Sequence, residues 1–419
     1  MALKIAQCIA PILQYGRHQL LQVFYPSTEN TQKKPISFLA KINEFKNKLV
    51  LNRTISERKC CKEPEENLAA VLHGEGDLRL ENRPIPKYNA NQVLVEVEVC
   101  GICDSDVSLF GEGRLGTDFL KKPTIIGHEA SGTVWKCGEC VKNLKPGDKV
   151  AIEPLVPCRM CLLCKLGKYN VCPNLCRRFA PYSDGNLSRY YVHESDFCYK
   201  VPKNMDLELA ALMEPLSRGV HACKKAKITS GDSVLVLGSG PFGLLTMQAA
   251  RAYGASSVVV LDIDPFKLSK AMEMGADCTI DCKKLPEQEV VRQIHDLLGN
   301  LPNKTFACSC YEKAIRVGIL ATATCGKIVI AAFGANDQCL PIMDSFHKEM
   351  EIICSIGYAN DYQTAIDMVT RGKVDPRPVV THHFKMCDAI KAYELAANEN
   401  QRQLKIFIHP NPKWQPESC

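Results

Sequence analysis

No apolar run in this 419-residue sequence approaches the roughly 20 residues that a bilayer-spanning helix requires, so a membrane is not an expected partner. A concentrated basic stripe is missing too. The 52 basic and 46 acidic residues are interspersed and leave a net charge of +6, which gives capture of nucleic acid little support. Asp and Glu are absent from Met1 to Thr28, where Lys4, Arg17 and His18 stand among apolar residues. That composition is faintly presequence-like and keeps a mitochondrial location open beside a cytoplasmic one. No clear secretory signal opens the chain, so its 23 cysteines are expected as thiols or metal ligands in a reducing compartment. With 46% hydrophobic and 23% charged residues, the composition is that of a soluble globular enzyme of two or three domains.

The texture changes along the chain. Residues 1–66 lack strand and turn signals and read as an extension; the folded body is expected from LAAVLHGEGDLRL onward. QVLVEVEVCGIC alternates apolar and polar residues as a half-buried strand does, and closely spaced turns follow in LKPGDKVAIEPLV, so 67–215 reads as a β-rich domain. From about Ser230, apolar strands alternate with amphipathic helices, which is the pattern of a parallel sheet with crossover helices, expected over 216–357. The closing segment 358–419, with its strand-like LKIFIHP, is expected to return to the first domain.

Gly238, Gly240 and Gly243, with Pro241 and Phe242 between them, form GSGPFG directly after the apolar strand SVLVLG and directly before a helical pattern. Glycines are needed where the backbone turns sharply, where a pyrophosphate approaches, and where helix packs on sheet. The next strand, SSVVVLD, ends in Asp262 at about the interval that places a carboxylate on the adenosine ribose. A carboxylate there repels a 2′-phosphate; no Arg follows closely, though Lys267 lies about one helical turn on, so NAD is expected over NADP.

Cys158, Cys161, Cys164 and Cys172 in PCRMCLLCKLGKYNVC are close enough to close a tetrahedron around one Zn²⁺, the arrangement of a structural site. Arg159, Lys165 and Lys168 are placed to offset the negative charge of four thiolates. A second C-x-x-C, Cys100 and Cys103 in CGICDSDVSLF, invites a redox reading. Redox pairs of that spacing open a helix, and no helical pattern is evident after Cys103.

With a dinucleotide domain following a β-rich domain that carries this quartet, the chain resembles the zinc-dependent medium-chain dehydrogenases and, within them, the sorbitol (polyol) dehydrogenases. The matching motifs are GICDSDV, KKPTIIGHEASGTV, LKPGDKVAIEP, DGNLSRYYVH, ALMEPLSRGVHAC and RPVVTHHF, and coverage runs from about Leu68 to the C-terminus. The resemblance implies a GroES-like catalytic domain joined to a doubly wound Rossmann domain, an α/β chain holding two zinc ions and NAD. It implies Cys103 and His128 as catalytic-zinc ligands, with Glu129 or Glu214 as a further one and Asp106 orienting His128. It further implies Ser105 and Glu214 as carriers of the alcohol proton, a small polyol as substrate, and a homo-oligomer, a tetramer. The chain departs from the pattern at Ser108 and Leu109, where His-Tyr is usual, at Gly357, where an Arg precedes the tyrosine, and at Ala307 and Cys310. Those departures put the substrate contacts in question.

Overall fold

Val93, Val95, Val97 and Val99 are buried while Glu96 and Glu98 are half-buried, the period-2 pattern of a strand with one face on a core. This strand, β1 (Gln92–Gly101), organises the first half of the protein, which a computed structural model describes over residues 67–309, 311–398 and 401–415. The expectations for residues 1–66 and for Cys310 lie outside the described residues. Strand β1 pairs antiparallel with β2 (Glu129–Cys137), which pairs with β3 (Lys149–Ile152). The register sets Gly101 opposite Glu129, bringing two quoted motifs side by side.

The parallel sheet expected downstream is present. Strands β4 (Ser233–Leu237), β5 (Ser257–Asp262), β6 (Cys278–Asp281), β7 (Lys304–Ala307), β8 (Lys327–Ile330) and β9 (Glu351–Cys354) run in the order β6-β5-β4-β7-β8-β9, every pair parallel. Helices cover both faces, and this is why β4 and β5 read as unbroken apolar runs. The sheet order reverses at β4, and ligands of such sheets bind beyond the strand ends at that reversal. The chain then returns to the sheet of β1. Strands β10 (Val380–Lys385) and β11 (Lys405–His409) pair parallel with each other, and β11 pairs antiparallel with β1.

Two helices carry the site between these halves. The helix α1 (Asp104–Glu112) starts directly after Cys103, which is its N-cap. This corrects the expectation that no helix follows the C-x-x-C pair. Its apolar residues are few, and it is held by tertiary contacts: Leu109 is fully buried and Phe110 packs on Tyr393. The second helix, α2 (Met213–Ala226), runs across the expected 215/216 boundary, so one rigid element carries Glu214 at its start and packs on the dinucleotide half along its length.

Candidate active site

Cys103, His128 and Glu129 are buried, and one donor atom from each lies within 4.8 Å of the others. His128 Nδ1 faces Asp106 Oδ1 at 3.1 Å, and Asp106 Oδ2 accepts from the Cys103 backbone N–H at 3.2 Å. One carboxylate on the first turn of α1 thus fixes both the imidazole and the cysteine, and leaves His128 Nε2 directed at the cluster. Ser105 Oγ stands 3.5 Å from that nitrogen.

Glu129 has an unexpected partner. Lys405 Nζ, from β11 at the far end of the chain, contacts its two oxygens at 2.8 and 2.6 Å and also donates to the Ile102 carbonyl. A side chain at position 101 would put its Cβ 2.5 Å from Glu129 Oε2, so Gly101 makes the room this carboxylate occupies. Glu214 is buried as well but lies outside that donor group. Its Oε1 accepts from Tyr358 at 3.0 Å, and its Oε2 is buried with no protein partner. Burial pushes its carboxyl above the ordinary carboxylate range.

These observations fit a metal. Thiolate, imidazole and carboxylate converging in a buried place are a donor set that suits zinc, and Glu214 Oε2 is a buried acceptor without a protein partner. The redox alternative has no partner for Cys103. Cys100 lies against Asn186 at 3.3 Å, and burial pushes its thiol well above the ordinary range.

The quartet is equally well formed. Its Sγ–Sγ separations are 3.4, 3.5, 3.7 and 3.9 Å, and tetrahedral Zn–S bonds require sulfurs about 3.8 Å apart. Backbone N–H groups of Met160 and Cys161 lower the Cys158 thiol to about 6. Of the cations expected to offset the cluster, Arg159 is instead bonded to Asp196 at 2.7 and 2.8 Å.

At the dinucleotide turn, Gly238 has φ +100 and a Cβ at Gly243 would strike the Gly238 carbonyl at 1.9 Å, so both glycines are sterically required. Pro241 and Phe242 begin the helix α3 (Pro241–Tyr253), with Gly240 as N-cap. Asp262 accepts four hydrogen bonds: two from Ser239 (2.6 and 2.9 Å) and two from the backbone N–H groups of Ile263 (2.7 Å) and Asp264 (3.1 Å). Its charge is therefore pinned at the end of β5 and tied to the glycine turn. Lys267 follows on the helix Pro265–Glu273.

Sequence reasoning missed Lys405 and Arg218. The Arg218 guanidinium lies 4.5 Å over the Phe242 ring at the glycine turn, and this residue stands one turn beyond Glu214 on α2. Burial would lower its pKa, but the charges of Cys103, Glu214 and Glu129 outweigh that and raise it. A basic residue inside ALMEPLSRGVHAC was the available signal. Ser108 is exposed and Leu109 is core, so neither touches the donor cluster through a polar group.

Glu153, in the same buried region, receives hydrogen bonds from Tyr169 and Tyr199, both at 2.8 Å. Burial raises its pKa from 4.5 to about 8. An acid that holds its proton more tightly when folded contributes stability that is full below 4.5 and is lost as pH rises toward about 8. Across that window Glu153→Gln is expected to flatten the decline in melting temperature, a change on the order of a few kcal/mol. Parallel curves for wild type and variant would show that Glu153 is not the titrating group.

Comparison with known proteins agrees with this geometry. Residues 89–203 match the family described as alcohol dehydrogenase GroES-like domain, and residues 241–371 match zinc-binding dehydrogenase. The chain is 43% identical over 346 residues to sorbitol dehydrogenase of Mus musculus, and 44% identical over 349 residues to that of Homo sapiens. Each match covers 83% of this chain and 97% of the relative. Among solved structures, 2R,3R-butanediol dehydrogenase from Bacillus subtilis superposes with a TM-score of 0.75 at 28% identity, covering 82% of this chain and 100% of that one. An Escherichia coli enzyme described as a short chain alcohol dehydrogenase complexed with NADH gives 0.77 at 27%, covering 83% and 100%. With the donor cluster, the cysteine quartet and the glycine turn all in place, the chain belongs to the zinc-dependent medium-chain dehydrogenases, in the sorbitol dehydrogenase family, and is a zinc- and NAD-dependent oxidoreductase.

Proposed function

We propose that this enzyme oxidises a secondary hydroxyl of a polyol of the sorbitol or xylitol kind to the ketone, passing the hydride to NAD. The observation that carries the reading is the buried Cys103–His128–Glu129 cluster, in a chain whose glycine turn carries Phe242 under the Arg218 guanidinium. Cys103, His128 and Glu129 would hold the catalytic zinc, and the four clustered cysteines the structural one. Bound zinc acts as a Lewis acid that acidifies the substrate hydroxyl, and the nicotinamide accepts the hydride.

The protein's own groups do the rest. Asp106 keeps the His128 lone pair on the metal side. Glu214 in its ionised form takes up the proton that the alcohol releases, burial raising its affinity for that proton, while Tyr358 donates to its other oxygen. Ser105 offers its hydroxyl, 3.5 Å from His128 Nε2, for the same proton.

Gly357 lacks the guanidinium that the family pattern places beside the tyrosine. Its φ of +57 and a Cβ contact of 3.1 Å with Leu155 make a side chain there strained. Arg218 supplies a different guanidinium, within electrostatic reach of Tyr358, and in this reading it donates to the distal hydroxyls. Arg218→Ala is therefore expected to lower kcat/KM for sorbitol and xylitol by about tenfold or more relative to a simple butanediol. An unchanged polyol-to-diol ratio would remove Arg218 from substrate binding, and a wild type that oxidises none of these alcohols would remove the proposed function.

The reading includes a homo-oligomer, a tetramer by family pattern. Strand β9 is an edge of the parallel sheet and is flanked by exposed Ile342, Met343, Phe346 and Ile352, a face that a second copy would cover. It also places the enzyme in the cytoplasm, where thiols stay reduced; no disulfide links the described cysteines.

Asp262 sets the cofactor preference in this account. A 2′-phosphate would meet a carboxylate locked by four donors, so NAD is expected to be preferred by a wide margin, and Asp262→Ala is expected to narrow it by about tenfold or more. Equal kcat/KM for NAD and NADP in the wild type would contradict that role.

A further inference from the structure

We propose that Glu208, His383 and His409 form a third metal site, which takes a zinc ion through one carboxylate oxygen and two imidazole nitrogens. The three residues come from distant segments: the first turn of the helix Leu207–Ala211, the strand β10 and the last residue of β11. His383 Nδ1 lies 3.1 Å from His409 Nε2, and Glu208 Oε1 lies 3.5 Å from the first nitrogen and 3.8 Å from the second.

That triangle has the dimensions of a metal's coordination face. Zinc bonds to nitrogen and oxygen of about 2.0–2.2 Å, at tetrahedral angles, separate the donors by about 3.3–3.6 Å. Only the 3.1 Å edge has the length of a hydrogen bond; the two edges to the carboxylate exceed it. Two ring nitrogens so close share one proton, one ring donating to the other, and a metal would replace that proton and take both lone pairs. Two imidazoles and a carboxylate are a borderline donor set that suits zinc and does not suit the hard, all-oxygen preference of calcium or magnesium.

The surroundings are those of a formed site with an entrance. His409 is 1% exposed, while the side chains of His383 and Glu208 are 35% and 43% exposed, which leaves a solvent side for a water ligand. The Trp414 ring lies over His409 at 3.8 Å and 7°, and at 6.1 Å and 15° from His383, covering the pair and fixing the ring planes. The site is separate from the catalytic cluster. His409 is four residues beyond Lys405 on β11, roughly 13 Å along the strand. A metal here would clamp the returning strands to the helix that leads into α2.

Full-length protein dialysed against zinc buffered at low micromolar free concentration tests this, with metal content and melting temperature as readouts. Wild type is expected to hold one zinc equivalent more than either His383→Ala or Glu208→Gln, and to gain melting temperature with zinc where the variants do not. Both variants are expected to keep their alcohol-oxidising activity, because neither belongs to the catalytic cluster. Two independent variants, both of partly exposed residues, guard against a misfolded one. Equal zinc content in wild type and both variants would overturn the site, whether or not the enzyme oxidises polyols.

Discussion

Cys103→Ser is expected to remove one zinc equivalent and to cut alcohol oxidation by about 10³-fold or more, with little change in melting temperature. A Lewis acid contributes several kcal/mol to stabilising the developing alkoxide, and each 1.4 kcal/mol is tenfold in rate. The fold survives because Asp106 still bonds the backbone N–H at position 103, and Lys405 still neutralises Glu129. Metal analysis beside steady-state kinetics checks it. Full zinc with full activity would exclude Cys103 as a ligand; full zinc with lost activity would make it a positioning residue.

The second large effect is structural. Cys161→Ser is expected to remove a different zinc equivalent, to lower the melting temperature by roughly 10 °C, and to make the 158–172 lobe sensitive to protease. The lobe has few buried apolar side chains of its own, Tyr169 and Cys172 being the exceptions, so a zinc held by the quartet would be its main tie. It also docks on the body beside the active site: Asn170 donates to the Ile356 carbonyl at 2.8 Å, and the Asn360 N–H donates to the Tyr169 hydroxyl at 2.8 Å. Losing the lobe thereby loosens Tyr358 and its hold on Glu214, so activity falls as well. A variant that keeps its melting temperature and protease resistance would show that the lobe stands without zinc.

Local patterns made much of this legible. The glycine turn, the quartet and the strand period of QVLVEVEVCG each depend on residues near one another in sequence, and the structure places them where that spacing implies. The helix after Cys103 was invisible for the opposite reason. It has a weak apolar pattern and exists because Leu109 and Phe110 find a core built by other segments. Lys405 and Glu129 stand 276 residues apart, and only the β1–β11 pairing brings them together. The His383–His409 pair was likewise hidden, since nothing local links RPVVTHHF to LKIFIHP.

The most direct single measurement is the rate of NADH formation, followed by absorbance, when purified zinc-loaded enzyme is given sorbitol and NAD. The account predicts steady turnover over many cycles per chain. No turnover on sorbitol, by protein shown to hold zinc at Cys103 and to bind NAD, would contradict it.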